Sequence, residues 1–459
     1  MGRLARGKLW FVIGLAVAWS SAIGGACLWA ASQSYAVRLS GEAQYRQLLD
    51  LGVTIEKRQG DTVVLMVNPI ERARLVAMGI HFLKAYTFPG ISPQWMRTHL
   101  KESRYHDYEE LTEDLKTLAA EHPKLSRLQS IGQSVQGREI WALRITDNPE
   151  VREEEPSVRF VGAHHGDELI SVEVCLEFGR YLLEHYATDE RIRRIVAERD
   201  IWVIPMLNPD GVERVERYNA RGVDLNRNYS YHWQAGWAHG SAPFSEPETK
   251  AIERFSLETP FVLSASYHAG ALVTNYLYNY TEAKSEDDDL IVQLSLEYSR
   301  RNRPMYASQE FDKGIVRGAS WYITYGDLND WSYGVLGDLD WTIELSDAKI
   351  PEESRIPSIV RDNRESMLYF CEAAGDAIRG VVRDAETKAP IRASIHVQEI
   401  HKPIFSDSVV GSFFRMVLPG TYTVVVSAPG YRSQTLSNVE KVQGKPTDVF
   451  RVELEKDAL

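Results

Sequence analysis

The spacing of apolar positions changes three times along the chain, and each change marks a different kind of unit. Through residues 36 to 87 short runs alternate: strand-like over Ala36 to Leu39, helical over Glu42 to Leu51, then strand-like over Val53 to Arg58 and Thr62 to Val67, with a turn at Gly60-Asp61. Asn68-Pro69 supplies a cap and a first-turn proline for a second helix, and Ile80 to Ala85 follows as a strand. This order predicts a split β-α-β unit of about fifty residues, whose core is small enough to need a neighbour.

From Tyr105 the elements lengthen. Helical spacing covers Tyr108 to His122, Leu169 to Tyr186, Glu246 to Ser256, Asp289 to Arg301 and Ser358 to Ala377. Apolar runs over Ile140 to Ile145, Val158 to Gly162, Ile201 to Met206, Phe261 to Tyr267 and Asp340 to Leu345 predict the strands between them. Such alternation implies an α/β domain with a mixed or largely parallel sheet, whose ligands gather at the carboxyl ends of its strands. Ser245-Glu246-Pro247-Glu248 has the form of a capping box, which assigns Glu248 to structure.

After Ala377 short alternating strands take over: Ile378 to Arg383, Ala393 to Gln398, Ser412 to Val417, Thr421 to Ser427 and Phe450 to Leu454, with turns at Pro419-Gly420 and Pro429-Gly430. They predict a β-sandwich of about eighty residues. It gathers no catalytic residue types, so a folding or docking role is expected. The predicted organisation is a leader at 1–36, a small α+β unit and linker at 37–97, an α/β domain at 98–377 and the sandwich at 378–459.

Composition narrows the possibilities. A chain of 459 residues accommodates this many domains, and a net charge of -12 with no basic stripe argues against nucleic acid as a partner. Arg3, Arg6 and Lys8 precede an apolar run from Leu9 to about Ala31 and then Ser34-Tyr35-Ala36, the pattern of a secretory signal cut after Ala36 or of an uncleaved membrane anchor. Either places the bulk of the protein in a secreted or periplasmic setting. Cys27 lies in this leader; Cys175 and Cys371 fall in apolar helical patterns, which favours two buried thiols over a disulfide.

The chemistry centres on the turn after Val158 to Gly162. His164-His165-Gly166-Asp167-Glu168 joins a strand to a helix, so an imidazole and a carboxylate three residues on, in the first helical turn, can face one ion. With 12 histidines, about one such pair arises by chance, so a third ligand is needed. His268 stands at the end of Phe261 to Tyr267, the same strand-end position as His165. Two histidines and a glutamate leave a fourth zinc position open for water. Asp224 is a candidate for holding the second nitrogen of an imidazole.

Further stretches lie at suggestive distances: Asn208-Pro209-Asp210-Gly211, Arg217 to Tyr229 (with Arg221-Gly222-Val223-Asp224-Leu225-Asn226-Arg227), Gly314 to Tyr322, and Trp341-Thr342-Ile343-Glu344-Leu345-Ser346. Taken in order, from about residue 105 to 455, they resemble the zinc carboxypeptidases related to pancreatic carboxypeptidase A, and more closely the carboxypeptidase D, E, M and N branch, which carries a transthyretin-like sandwich after its catalytic domain. The resemblance implies one zinc ion on His165, Glu168 and His268. It implies Arg217 as the group polarising the scissile carbonyl, Asn226 and Arg227 as the grip on the substrate's terminal carboxylate, Tyr322 as the residue closing over the terminal residue, and Glu344 as general base. These types suit the task, since a guanidinium grips a carboxylate through two parallel hydrogen bonds and a carboxylate can shuttle a proton.

The expected activity is therefore release of C-terminal residues from peptides or proteins, by a monomer. An amidase of cell-wall peptides and an inactive peptide-binding protein are the alternatives. Where the D, E, M and N branch has an aspartate and a glutamine for basic terminal residues, this chain has Asn279 and Asn329. A neutral polar pocket is expected from that exchange. The first small unit resembles the propeptide of secreted carboxypeptidases in topology, which implies that it covers the cleft and is removed near Arg97 to Arg104.

Overall fold

A computed structural model describes residues 32–457. Most of the expected leader lies outside them, but its boundary meets a strand. Strand β1 (Gln33–Arg38) runs through Ala36, which pairs with Val64 and Lys84 on its two sides. The small-x-small pattern at Ser34-Tyr35-Ala36 is here the alternation of a strand, so the N-terminal unit begins upstream of the boundary placed at 36. With β2 (Thr54–Gln59), β3 (Thr62–Val67) and β4 (Phe82–Ala85) it forms an antiparallel sheet in the order β2-β3-β1-β4. Asn68 caps the helix Pro69–Ala77: its side chain accepts from Ile70 N–H at 2.9 Å and Glu71 N–H at 3.0 Å, while Glu71 accepts from Asn68 N–H at 2.9 Å. Val37, Leu48, Val63, Leu65 and Leu75 form this unit's core.

The central sheet has eight strands: β5 (Ser126–Gln133), β6 (Glu139–Ile145), β7 (Ser157–Val161), β8 (Asp200–Ile204), β9 (Phe261–His268), β10 (Ala271–Tyr276), β11 (Ile315–Arg317) and β12 (Leu339–Ser346), in the order β11-β10-β12-β9-β7-β8-β6-β5. The middle strands β12, β9, β7 and β8 are parallel neighbours. Helices cover them, so β7, β8 and β9 are buried along their whole length, as their unbroken apolar runs require. Helices Tyr108–Glu121, Ile170–His185, Asp288–Arg301 and Ile356–Ala373 share one core with the sheet. The last ends four residues earlier than expected, because the chain turns at Gly375 and Ala377 already belongs to the next strand.

Two local expectations are corrected. Helix Pro247–Glu258 starts at Pro247 behind Glu246, which makes no side-chain cap bond. Glu248 instead accepts from Val135 N–H at 3.0 Å and Asn219 Nδ2 at 3.2 Å, tying the helix to two loops. Glu168 lies in the turn before helix Ile170–His185 rather than in its first turn, since the backbone between His165 and Leu169 is not yet helical.

The C-terminal unit is a sandwich of β13 (Ala377–Asp384), β14 (Ser394–Val397), β15 (Ile400–Phe405), β16 (Ser412–Met416), β17 (Gly420–Ser427), β18 (Gln434–Lys441) and β19 (Val449–Leu454), in sheets β16-β13-β19 and β15-β14-β17-β18. It docks through buried Arg415, whose Nη2 donates to both oxygens of Asp287 at 3.0 and 2.9 Å. Cys175 and Cys371 are buried free thiols.

Candidate metal and substrate site

Parallel β7, β9 and β12 end on the same side of the sheet, and the chemistry-bearing residues meet there. His165 follows β7 by four residues, His268 closes β9, and Glu344 lies on β12 in direct register with His268. Neighbouring strands are about 4.8 Å apart, so the register alone sets a carboxylate beside a metal-type ligand. The turn carrying His165 packs against the short helix Pro209–Arg214 at a glycine pair: a Cβ on Gly166 would lie 2.0 Å from the carbonyl carbon of Gly211. Only hydrogen at that position permits the approach.

His165 Nδ1, Glu168 and His268 Nδ1 converge. The imidazole nitrogens are 3.1 Å apart and lie 2.8 and 2.9 Å from the two carboxylate oxygens. Tetrahedral zinc with bonds near 2.0–2.1 Å would hold such atoms about 3.3 Å apart, so the donor set fits this ion with little movement. The tautomers fit as well. His165 Nε2 donates to Asp224 Oδ1 at 3.0 Å and His268 Nε2 lies 3.0 Å from Ser266 Oγ, which leaves both Nδ1 lone pairs facing inward. His164 takes no part: its nitrogens lie 3.0 Å from Tyr229 Oη and 3.0 Å from Ser266 Oγ, and burial followed by the neighbouring His268 pushes it well below the usual imidazole range.

Asp224 does more than hold His165. Its Oδ2 accepts from Arg217 Nε at 3.0 Å and Nη2 at 2.8 Å, fixing that guanidinium with Nη1 3.2 Å from His165 Nδ1. Burial works against the charged form of Asp224, but Arg217 and His165 outweigh it and hold the carboxyl well below its ordinary range. Arg227 Nη1 donates to Asn226 O at 2.6 Å, and among the described residues no carboxylate lies within 4.0 Å of it. Glu344 has one oxygen buried without a partner among the described residues, and burial and then the charge of Glu168 push its carboxyl well up. Burial lifts the Tyr322 hydroxyl to about 12, so it stands as a protonated donor.

One cleft joins these groups: His165, Glu168, His268, Arg217, Asn226, Arg227, Tyr322 and Glu344 all line it. Asn279 lines it too, whereas Asn329 sits behind, its Oδ1 accepting from Asn279 Nδ2 at 2.6 Å. Buried Asp327 also stands in the wall, beside Asn279.

Sequence reasoning also missed Glu56, Phe88 and Lys349, which line the same cavity. Glu56, on β2 of the N-terminal unit, forms a short ion pair with Lys349 Nζ, which also reaches Asp167 at 2.8 Å. Around it Tyr45 Oη accepts from Ile323 N–H at 2.8 Å, Gly52 O accepts from Trp237 N–H at 3.2 Å, and Lys57 pairs with Glu310 at 2.9 Å. The stretch Arg97 to Arg104 belongs to the other side of the junction. Met96 and Leu100 are buried in the central core, and Arg97 Nε donates to Arg214 O at 2.7 Å. Thr87 and Pro89 are exposed between the two units, and Gly90 already bridges to Ile350 of the catalytic domain.

A mixed sheet with an open His-Glu-His site at its strand ends, a base in register and two arginines defines a metal-dependent hydrolase of the α/β class. The chain belongs to the zinc carboxypeptidase family: the family model matches residues 111–366, and a carboxypeptidase regulatory-like domain matches residues 377–455. It is 33% identical to the carboxypeptidase N catalytic chain of Homo sapiens over 378 residues, covering 73% of this chain and 82% of that one. It is 34% identical to carboxypeptidase SOL1 of Arabidopsis thaliana, with 72% and 69% covered. Human carboxypeptidase D is 34% identical over 381 residues, 77% of this chain, but the match spans only 27% of that longer protein. In fold the chain is similar to the crystal structure of carboxypeptidase A from Helicoverpa armigera, with a TM-score of 0.61, 20% identity and 75% and 97% of the two chains covered.

Proposed function

We propose that this chain is a zinc exopeptidase that hydrolyses the C-terminal peptide bond of peptides or proteins. The observation that carries the reading is the convergence, in one cavity, of a three-ligand metal set, an arginine with no acidic partner among the described residues and a glutamate in register with a ligand. His165, Glu168 and His268 would hold one zinc ion, which when bound supplies positive charge to polarise a carbonyl and acidify water. Arg227, with Asn226 beside it, grips the terminal carboxylate by paired hydrogen bonds and selects a chain end over an internal bond. Arg217, oriented by Asp224, donates to the oxygen on which charge develops. Glu344 takes a proton from the attacking water and returns it to the leaving amine, and Tyr322 donates its hydroxyl hydrogen over the terminal residue.

The N-terminal unit reads as a cover. Glu56 of β2 and Phe88 line the cavity, so the intact chain is latent and parting at residues 87–89 opens it. Among the described residues no helix is long and apolar enough to cross a membrane. The leader pattern places the protein's work outside the cytoplasm, and the sandwich serves as a docking support.

Mass spectrometry of a peptide library with varied C-termini tests the reading, using the zinc-loaded chain before and after limited proteolysis at the joint. Glu344→Gln should slow single-residue shortening by about 10²–10⁴-fold without loss of zinc. Shortening that survives this change, or no shortening with zinc bound and the fold intact, refutes it.

A further inference from the structure

Lys349 stands at the end of the cleft away from the proposed carboxylate grip. It lies on the segment leaving β12, shortly after Glu344. A second groove runs on from this end: it shares Phe88, Arg217 and Lys349 with the cleft but reaches none of Asn226, Arg227, Asn279 and Tyr322. A substrate whose terminal carboxylate rests on Arg227, and whose scissile carbonyl faces Arg217, therefore sets the residues before that bond toward Lys349.

That end of the cleft already holds a carboxylate. Glu56 Oε1 accepts from Lys349 Nζ in a short ion pair, while Glu56 Oε2 accepts from Ser34 Oγ of its own unit. Both side chains of the pair are buried. Burial opposes the charge on Glu56, yet Lys349 and then Arg217 hold its carboxyl below the ordinary range. The N-terminal unit thus places an acidic side chain where the chain of a bound peptide would pass. Lys349 keeps its position without Glu56, because Asp167 Oδ2 accepts from its Nζ at 2.8 Å. An ammonium carries three N–H groups, so the parting of the cover leaves a charged donor facing the cleft. Asp167 does not bar a second carboxylate from it, since Glu56 and Asp167 share the ammonium in the covered state. A neutral side chain could accept the same hydrogen, but a carboxylate answers the charge as well.

We propose that Lys349, with Arg217 nearby, forms a subsite for the acidic side chain of the residue whose carbonyl is attacked, so that peptides with glutamate immediately before the terminal residue are preferred. The proposal rests on the carboxypeptidase reading and adds to it a selection on the amino side of the scissile bond. Glu56 then occupies this subsite in the covered chain as a stand-in for substrate.

The test uses the full zinc-loaded chain, opened by limited proteolysis at residues 87–89, on peptides with one common terminal residue and glutamate, glutamine or lysine before it. kcat/KM for glutamate should exceed that for its isostere glutamine about tenfold, chiefly through KM, as a charge-assisted hydrogen bond exceeds a neutral one, and lysine should be poorest. Lys349→Met should bring the glutamate-to-glutamine ratio below about twofold, and Lys349→Arg should keep it. Each ratio is internal to one protein, so a general loss of activity does not imitate the result. Should Lys349→Met fail to fold, Lys349→Gln, which still donates to Asp167, takes its place. Equal kcat/KM for glutamate and glutamine peptides, a ratio unmoved by loss of the Lys349 charge, or a preference felt only one residue further from the bond overturns the proposal. If no peptide is shortened, the carboxypeptidase reading fails, and calorimetry of the opened chain with the α-amides of N-acetylglutamate and N-acetylglutamine decides the subsite separately. Binding of the glutamate compound at least about tenfold tighter, and lost in Lys349→Met, upholds the assignment; equal or absent binding of the two overturns it.

Discussion

Replacing Glu56 with glutamine separates a cover from a bystander. Glu56 is buried, accepts from Ser34 Oγ and pairs with Lys349, whose other partner, Asp167, belongs to the catalytic domain. In Glu56→Gln, Lys349 therefore keeps one carboxylate, and the loss is that of a single charge-assisted hydrogen bond. That is about 1.5–3 kcal/mol, less than the 3–5 kcal/mol or so of a buried pair broken outright. The balance between covered and open cleft then shifts by about ten- to a hundredfold. The assay is the rate of peptide shortening by the intact chain, with the same proteins after cleavage at residues 87–89 as reference. Intact Glu56→Gln should outpace intact wild type about tenfold or more, and the cleaved forms should match. Equal rates of the two intact chains refute the latch. The pH dependence carries a sign. Burial works to raise the Glu56 carboxyl, but Lys349 and then Arg217 outweigh it and hold it below the ordinary 4.5. A depressed carboxyl contributes docking stability above that ordinary value and loses it as pH falls through the lowered one. Cleavage of the joint in wild type should accelerate in acid, and Glu56→Gln should lack that rise.

Two further outcomes follow from buried contacts. Asp224→Asn removes the charge that orients both His165 and Arg217, so zinc affinity, read by competition with a chromophoric chelator, should fall about 10–100-fold with the fold retained. Unchanged affinity would mean that the imidazole is oriented by packing alone. Arg159 and Asp340 form an ion pair at 2.9 Å in the sheet core, both side chains fully buried, and Asp340→Ala should lower stability to urea by about 3–5 kcal/mol. A cost under about 1 kcal/mol would show that Ser256 and Ser332, which also bond Arg159, suffice for it.

The residues legible in the sequence were those whose position follows from one period. β7, β8, β9 and β12 are buried on both faces, and their unbroken apolar runs announce strands whose ends carry His165, His268 and Glu344. β5 and β10 escaped because their patterns mix: β5 is an edge strand with Ser, Arg, Gln and Gly among its apolar residues, and β10 follows β9 after only two residues. Asp327 and Lys349 were invisible for a different reason. Each lies in loop or cap sequence whose meaning depends on a partner more than forty residues away, Asn279 for one and Glu56 for the other. The capping box expected at Ser245 failed for the same cause, since Glu248 is claimed by Val135 and Asn219 before it can serve its own helix.

Lys349 shows why a cover of this kind can leave without damage to what it covers. The cation is buried at the junction, and a cover that supplied its sole counter-charge would have to break that pair outright on departure. Asp167, two residues from the metal-type ligand His165, already balances Lys349 from within the catalytic domain. The charge that Glu56 adds is thus surplus to the open state, and on opening it passes to water with its own unit. The cover's hydrophobic cluster, from Val37 to Ile80, is built of its own residues, with Trp237, Tyr322 and Ile323 of the catalytic domain packed against it. Closure then rests on polar contacts such as Glu56–Lys349 and Lys57–Glu310 together with apolar packing at Trp237, Tyr322 and Ile323, a balance that loss of the Glu56 charge shifts toward the open state.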